Sequence, residues 1–181
     1  FTFVAVDEWG NTSEKTVKIM NIDKTPPNKP KFETYLDGNG IMMINIYDDG
    51  DNLAGVDKVW SKVPGQDWIA GNSTQYHKLP DGIYTISAKV TDKVGNESAV
   101  ATFVFNNQNN KVKSIVTEIS NMMKVNLDSN VLSIVKEVRN EIANKISSLE
   151  TSSQKEFLEQ KLYELDIKIA KYEGTNVEKI K

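Results

Sequence analysis

A short pattern occurs twice in this chain of 181 residues, and it constrains the fold more than any other feature. The first copy spans Phe1–Asn21 and the second spans Ile86–Asn106, and they align at a constant offset without a gap. Each copy predicts two strands around a tight turn, because alternating side chains flank a Gly-Asn pair that tolerates positive φ. The turn residues shared by the copies are Asp7 and Asp92, Gly10 and Gly95, Asn11 and Asn96, and Ser13 and Ser98. An ungapped repeat at this spacing predicts a slice of a tandem array.

The segment between the copies predicts one complete β domain with a linker in front of it. Ile22–Pro30 contains three prolines, which favour an extended, semi-rigid linker. Residues 31–107 are then expected to form a complete antiparallel sandwich, and residues 1–21 the final hairpin of a preceding domain. The seven predicted strands are Lys31–Leu36, Ile41–Tyr47, Val56–Val63, Trp68–Ala70, Thr74–Leu79, Ile83–Thr91 and Ala99–Phe105.

The hydrophobic period changes from two to about 3.6 beyond the polar joint Asn106–Asn110. Three apolar stripes at helical spacing predict that residues 111–181 form an antiparallel three-helix bundle. A capping box of Ser153 with Glu156 is expected to open the third helix, and Gly174 is expected to end it. The stripes comprise Val112, Ile115, Val116, Ile119 and Met122; Val131, Val135, Val138, Ile142, Ile146 and Leu149; and Phe157 or Leu158, Leu162, Leu165, Ile169 and Tyr172.

The first hairpin carries an apolar face that needs a partner. Phe1, Phe3, Val17 and Ile19 would together lose several kcal/mol of burial energy if exposed, at about 1.5–3 kcal/mol for each large side chain. An isolated two-stranded hairpin is also marginal in water. We therefore expect the hairpin to pack on a neighbouring copy or on the helical bundle, unless it is a remnant of a longer chain.

The composition excludes several classes of function. The chain has no cysteine, so disulfides, thiolate nucleophiles and cysteine-based metal sites are absent. The net charge is −3, so the chain lacks the excess of positive charge that favours binding to nucleic acid or to an anionic membrane surface. No apolar run is long enough to cross a bilayer. We expect neither a nucleic-acid partner nor membrane insertion.

An ordered set of short motifs gives residues 1–107 a resemblance to a known family. The motifs are Ile22–Pro27, Asp51–Val56, Gly65 followed by Trp68, Asp81–Tyr84 and Asp92–Asn96. In this order they resemble the bacterial immunoglobulin-like repeats of secreted and cell-surface proteins, with Ala54 where that family favours serine. The resemblance implies an extracellular β-sandwich that serves as a stalk, a spacer or an accessory binding module. The whole chain is then multidomain, an immunoglobulin-like antiparallel sandwich followed by an all-α bundle that resembles no family.

An acidic loop is the best candidate for a metal site. Calcium takes six to eight hard oxygen ligands, which closely spaced carboxylates and backbone carbonyls can supply. The alternative is a polar turn whose Asp and Asn side chains accept bonds from backbone amides. The spacing does not match an EF-hand. The candidate calcium ligands are Asp48, Asp49, Asp51, Asn52 and Asp57.

Trp60 lies between Lys58 and Lys62 on one face of a predicted strand. An indole flanked by ammonium groups could stack on a sugar ring or meet a neighbouring domain. In the alternative interpretation the lysine stems simply cover a half-buried tryptophan. Trp68 is expected to plug the edge of the sandwich.

No residue constellation predicts catalysis. His77 is the only histidine, and it is expected to be an exposed side chain on a short strand. There is no Gly-x-Ser-x-Gly elbow, no phosphate-binding glycine loop and no zinc pattern. We therefore expect a non-enzymatic structural or spacer module of a larger bacterial cell-surface or secreted protein, related to adhesion. Its partners would be neighbouring domains of the same polypeptide and host or cell-wall glycan or protein. The alternative is an accessory carbohydrate- or protein-binding module of a secreted glycosidase or peptidase.

Overall fold

A computed structural model describes residues 1–18, 22–48, 50, 53–71, 74–150 and 152–175 of the chain. Antiparallel sheets come first and three helices follow, as the sequence predicts. The strands are β1 (Thr2–Val6), β2 (Thr12–Thr16), β3 (Lys31–Leu36), β4 (Met42–Tyr47), β5 (Val56–Lys62), β6 (Ile69–Ala70), β7 (Gly82–Asp92) and β8 (Ala101–Asn107). The helices are α1 (Asn109–Lys124), α2 (Leu132–Ser147) and α3 (Ser153–Glu173), and a short 3₁₀ helix spans Thr74–Lys78.

The described strands form three small antiparallel sheets, β1-β2, β3-β4 and β6-β5-β7-β8. The last two sheets share one apolar core, because alternate side chains of their strands point toward each other. Phe32 of β3 stacks on Phe103 of β8 with ring centroids 5.3 Å apart. The buried members of this core are Ile44, Ile46, Val59, Val63, Tyr76, Ile86, Ala88, Val90 and Phe105.

The predicted strand Thr74–Leu79 is wrong, since this segment is the 3₁₀ helix. Tyr76 is 2 % exposed and donates its hydroxyl to Ser61 Oγ at 2.7 Å, while Leu79 packs against the same core. Residues three apart share one side of a 3₁₀ turn, whereas a strand would place them on opposite faces. Burial is the main cause that raises the pKa of the Tyr76 hydroxyl. Six strands, rather than seven, therefore lie in the described part of residues 31–107.

The three helices pack around a second apolar core. Lys145 of α2 pairs with Glu118 of α1 at 2.7 Å, and Arg139 of α2 forms two bonds of 2.6 Å to Asp166 of α3. Tyr172, which the pattern predicts to face inward, is 45 % exposed. All the buried residues of this core belong to the predicted stripes, namely Val112, Ile115, Ile119, Val135, Ile142, Ile146, Leu149, Leu158, Leu162, Leu165 and Ile169.

The start of α3 differs from the prediction by one residue. Ser152, not Ser153, is the N-cap, and its hydroxyl accepts a bond from the Lys155 amide at 3.4 Å. The predicted capping box of Ser153 with Glu156 is therefore wrong, because Ser153 already has helical backbone. Gly174 ends the helix with φ 67° as expected, in the left-handed region that glycine adopts without strain.

The first hairpin, β1–β2, is exposed along all its described residues, 1–18. Phe1 is 77 % exposed, Phe3 64 % and Val17 42 %. The expectation that this hairpin packs on the helices is wrong. The alternative expectation, that it packs on a neighbouring copy, stays a prediction.

The proline-rich segment lies against the β core instead of standing free. Pro27 and Pro30 are buried. Asp23 accepts a bond from the Ala54 amide at 2.9 Å, and its carbonyl accepts one from the Asn96 side chain at 3.3 Å. These contacts fix the chain just ahead of β3.

Candidate functional site

The outward face of the four-stranded sheet carries the side chains that the sequence suggests for ligand binding. Val59 and Ser61 of β5 are buried, so Lys58, Trp60 and Lys62 project from the opposite face. Trp60 is partly buried there. In the strand register it lies opposite Lys89 of β7.

Trp60 is engaged mainly with its own sheet. Its indole N–H donates to Thr91 Oγ1 at 3.0 Å, so this donor is already used. The Lys58 ammonium lies 6.0 Å from the ring centroid and 3.5 Å from the Asp57 carboxylate. What Trp60 still offers a ligand is part of its ring.

Trp68 has closer lysine contacts than Trp60. The ammonium groups of Lys62 and Lys89 lie 4.9 and 5.0 Å from its ring centroid, within the range of cation–π attraction. Lys89 also pairs with Glu97 at 2.7 Å. Sequence reasoning missed Lys89, because it reaches Trp68 across the intervening strand β5.

We call Trp60, Trp68, Lys58, Lys62 and Lys89 the lysine–tryptophan face. Two of its lysines have carboxylate partners, whereas no carboxylate among the described residues pairs with Lys62. Aromatic rings and an ammonium group without a carboxylate partner among the described residues suit a sugar ring that bears an acidic substituent. The internal contacts also suit the simpler interpretation, in which lysine stems cover half-buried indoles.

The acidic loop is only partly described. Asp49, Asp51 and Asn52 lie outside the described residues, so calcium binding stays a prediction. Asp48 accepts a bond from the Gly50 amide at 3.0 Å, which is the turn-capping role of the alternative interpretation. Asp48 and Asp57 line an open groove of about 280 Å³. Within the described residues no group of three or more His, Asp or Glu side chains is placed to hold a metal ion.

His77 belongs to the 3₁₀ helix and is partly buried, so its predicted place as an exposed side chain on a strand is wrong. Its backbone carbonyl accepts a bond from the Asn109 side chain at 3.2 Å. The Asn109 side chain belongs to a buried polar cluster that sequence reasoning missed.

A buried polar cluster joins the sheets to the helices. We call Asn107, Asn109 and Gln154 the junction cluster, and each is at most 3 % exposed. Only Gln108 separates the end of β8 from the start of α1, so the chain passes straight from sheet to helix through this cluster. Sequence reasoning treated the asparagines as a polar joint, whereas two of them are buried.

Asn109 uses its whole hydrogen-bonding capacity at the junction. Its Oδ1 accepts from the Met42 amide at 2.8 Å and from Gln154 Nε2 at 2.9 Å. Its Nδ2 donates to the carbonyls of Met42 at 3.1 Å and His77 at 3.2 Å. One side chain thus connects β4, the 3₁₀ helix, α1 and α3.

Gln154 brings the third helix to the same point. Its Nε2 donates to the Gly40 carbonyl at 3.0 Å as well as to Asn109. Gly40 has φ +77°, and a Cβ placed on it would lie 2.5 Å from the Phe157 ring. Only glycine allows this close approach of the β3–β4 turn to α3.

The start of α1 is capped from the β part of the molecule. The Asp81 carboxylate accepts bonds from the amides of Asn110 at 2.9 Å and Lys111 at 3.1 Å. Asn107 donates to the carbonyls of Leu79 and Pro80 and accepts from the Asn109 amide. The first helical amides are therefore satisfied by side chains that precede the helix.

Comparison with known proteins leaves the family open. No model of a protein family matches the chain, and the comparison with curated proteins found no match. None of the described helices combines the length and apolar character needed to cross a bilayer.

Proposed function

We propose that this chain is a non-catalytic structural module of a larger bacterial cell-surface or secreted protein. In this proposal, residues 31–107 are an immunoglobulin-like sandwich, residues 111–181 are a helical bundle, and residues 1–21 belong to a preceding repeat. The junction cluster carries the proposal, because a spacer must hold its parts in a fixed orientation. In an adhesion-related protein such a module would serve as a stalk, and a stalk needs this stiffness.

Physical arguments support a stiff connection rather than a hinge. The hydrogen bonds of Asn109 are shielded from water. Losing the Asn109 side chain would therefore leave its bonding partners buried and unsatisfied. Reorienting the helices would also break the Gln154–Gly40 bond and separate Phe157 from the turn.

Two spin labels can test this stiffness, because the chain has no native cysteine. Thr85→Cys on the sheet and Glu141→Cys on α2 place labels at exposed positions. We expect one narrow distance distribution in this double-cysteine protein and a broader one when Asn109→Ala is added to it. Asn110→Ala is the matched control, because Asn110 is exposed and its side chain makes no hydrogen bond among the described residues. A broad distribution in the double-cysteine protein without Asn109→Ala would refute the rigid-spacer proposal.

The lysine–tryptophan face favours a second candidate function, an accessory binding module of a secreted enzyme. A glycan array with neutral and acidic sugars separates the two functions, since a spacer should retain no sugar. Retention that is lost with Trp68→Ala or Lys62→Ala would favour the binding module. Val104→Ala is the control, because Val104 is 65 % exposed on the same outward face but lies on β8.

A further inference from the structure

The first hairpin carries apolar side chains on one face that the described chain leaves uncovered. Lys15 and Ser13 of β2 lie on the same face, opposite Phe3 and Ala5. We call Phe1, Phe3, Ala5 and Val17 the phenylalanine face. Phe1 and Val17 are direct cross-strand partners through backbone bonds of 3.0 and 2.8 Å. Phe3 and Ala5 follow on the same face of β1, because side chains two apart share a face. Every member is exposed.

The same molecule shows what covers such a face. In the second copy of the repeat, Ile86, Ala88 and Val90 occupy the positions of Phe1, Phe3 and Ala5, and all three are fully buried. They share a core with the β4 residues Ile44 and Ile46. The β7 strand is also paired along its edge by β5.

We propose that the phenylalanine face binds the strands of another repeat of the same kind. The partner contributes an antiparallel pair with branched aliphatic side chains across the face, as β3–β4 does in the second copy. It also contributes one strand to the outer edge of β1, where no described strand pairs, as β5 does for β7. The biological setting rests on the proposed tandem arrangement, whereas the interface rests on the exposed face and its buried counterpart.

The size of one side chain defines the partner further. Phe3 stands where the second hairpin has Ala88, which is 0 % exposed in a close-packed core. The partner must therefore offer more space around Phe3 than the core of residues 31–107 leaves around Ala88. A strand pair identical to β3–β4 would fit imperfectly, and the natural partner has a smaller side chain at this point.

A fused chain tests the interface directly. A second copy of residues 22–85 is placed ahead of Phe1, so that the first hairpin follows this segment as the second hairpin does in the natural chain. We expect hydrogen exchange of the β1 amides to slow on the order of 100-fold relative to the unfused protein, because the exposed hairpin becomes part of a core. Phe3→Ala in the fused chain should slow exchange further by relieving the crowding.

Matched variants separate burial of this face from general effects of the fusion. Phe3→Asp should abolish the added protection. Val4→Asp should retain most of it, because Val4 lies on the opposite face of β1. Unchanged exchange in the fused chain and in its Phe3→Ala variant would overturn the proposal, and so would failure of the added segment to fold in both.

A second copy of the unmodified chain is the competing occupant of this face. Sedimentation equilibrium that detects a dimer, lost with Phe3→Asp but kept with Val4→Asp, would assign the face to self-association and overturn the proposal. The spin-label experiment does not involve residues 1–18. Its outcome therefore tests the spacer function independently of the proposed interface of the first hairpin.

Discussion

The first hairpin (β1–β2) and the last (β7–β8) contain the same turn, yet the first is exposed throughout and the last buries one of its faces in the core. Asp7 and Asp92 both accept bonds from the backbone amides two and four residues ahead and from an asparagine side chain, with distances of 2.7–3.0 Å. The turn is therefore encoded locally, by an Asp, a Gly and an Asn. Burial depends on which strands lie nearby.

The strand pairing of the two hairpins also differs, although the sequences align without a gap. In the first hairpin the ladder is regular from Val6↔Thr12 to Thr2↔Thr16. In the second, the pairing moves from Thr91↔Glu97 to Ala88↔Ala101, so three steps on β7 match four on the other side. This bulge adds one residue and shifts β8. Val17 therefore corresponds in position to the core residue Phe103, and not to the outward residue Thr102.

The largest difference between the hairpins should appear when equivalent residues are truncated. Ile86→Ala removes a fully buried side chain and should lower the free energy of unfolding by about 2–5 kcal/mol. Phe1→Ala at the equivalent position should change it by less than about 0.5 kcal/mol, because Phe1 is 77 % exposed. Urea unfolding of both variants measures the difference. Equal losses would mean that the first hairpin shares the core of the molecule.

Exchanging side-chain size gives the next largest effect. Ala88→Phe introduces the side chain that Phe3 provides in the first hairpin, and overpacking should cost about 1–3 kcal/mol. Phe3→Ala should leave thermal unfolding unchanged. A stable Ala88→Phe protein would show that the core of residues 31–107 has space for the ring. The proposed size difference between the two partners would then be wrong.

A substitution at Ser98 tests whether side-chain hydrogen bonds stabilise the bulge. Its Oγ accepts from the Val90 amide at 2.9 Å and donates to the Ala99 carbonyl at 3.0 Å. Ser98→Ala leaves a buried amide unsatisfied and should cost about 1–3 kcal/mol. Ser13→Ala is the matched variant in the regular ladder, where Ser13 is exposed and the expected change is near zero. A similar small effect at both serines would show that water satisfies the Val90 amide.

The order of strands and helices was predictable because period and turn chemistry are local signals. The alternation in Gly82–Asp92 fits only a strand. The spacing of Leu158, Leu162 and Leu165 fits only a helix. The 3₁₀ helix at Tyr76 was missed because a short apolar pattern of this length fits a strand equally well.

The junction cluster and the lysine–tryptophan face could not be predicted in the same way. Asn106–Asn110 contains four asparagines, and only tertiary packing selects two of them for burial. Lys89 meets Trp68 across an intervening strand, so the spacing between them in the sequence carries no signal of the contact. Long-range polar contacts depend on the relative position of elements, which local patterns do not specify.

The smallest effect concerns the shared turn, where the two hairpins should behave alike. The Asn11 side chain is the main cause that lowers the pKa of Asp7. At Asp92, burial is the largest influence and acts to raise the pKa, but the hydrogen bonds from Asn96 and the neighbouring amides together lower it. A lowered folded-state pKa stabilises the protein above the unfolded pKa of about 3.9, and this stabilisation is lost as the pH falls through the folded value.

The stability of the parent chain should therefore approach that of Asp92→Asn in acid, while exceeding it near neutral pH. Carboxyl chemical shifts should show both Asp7 and Asp92 titrating below the ordinary range. If Asp92 alone titrated there, the turn would depend on its buried surroundings, and the local origin of the shared motif would be wrong.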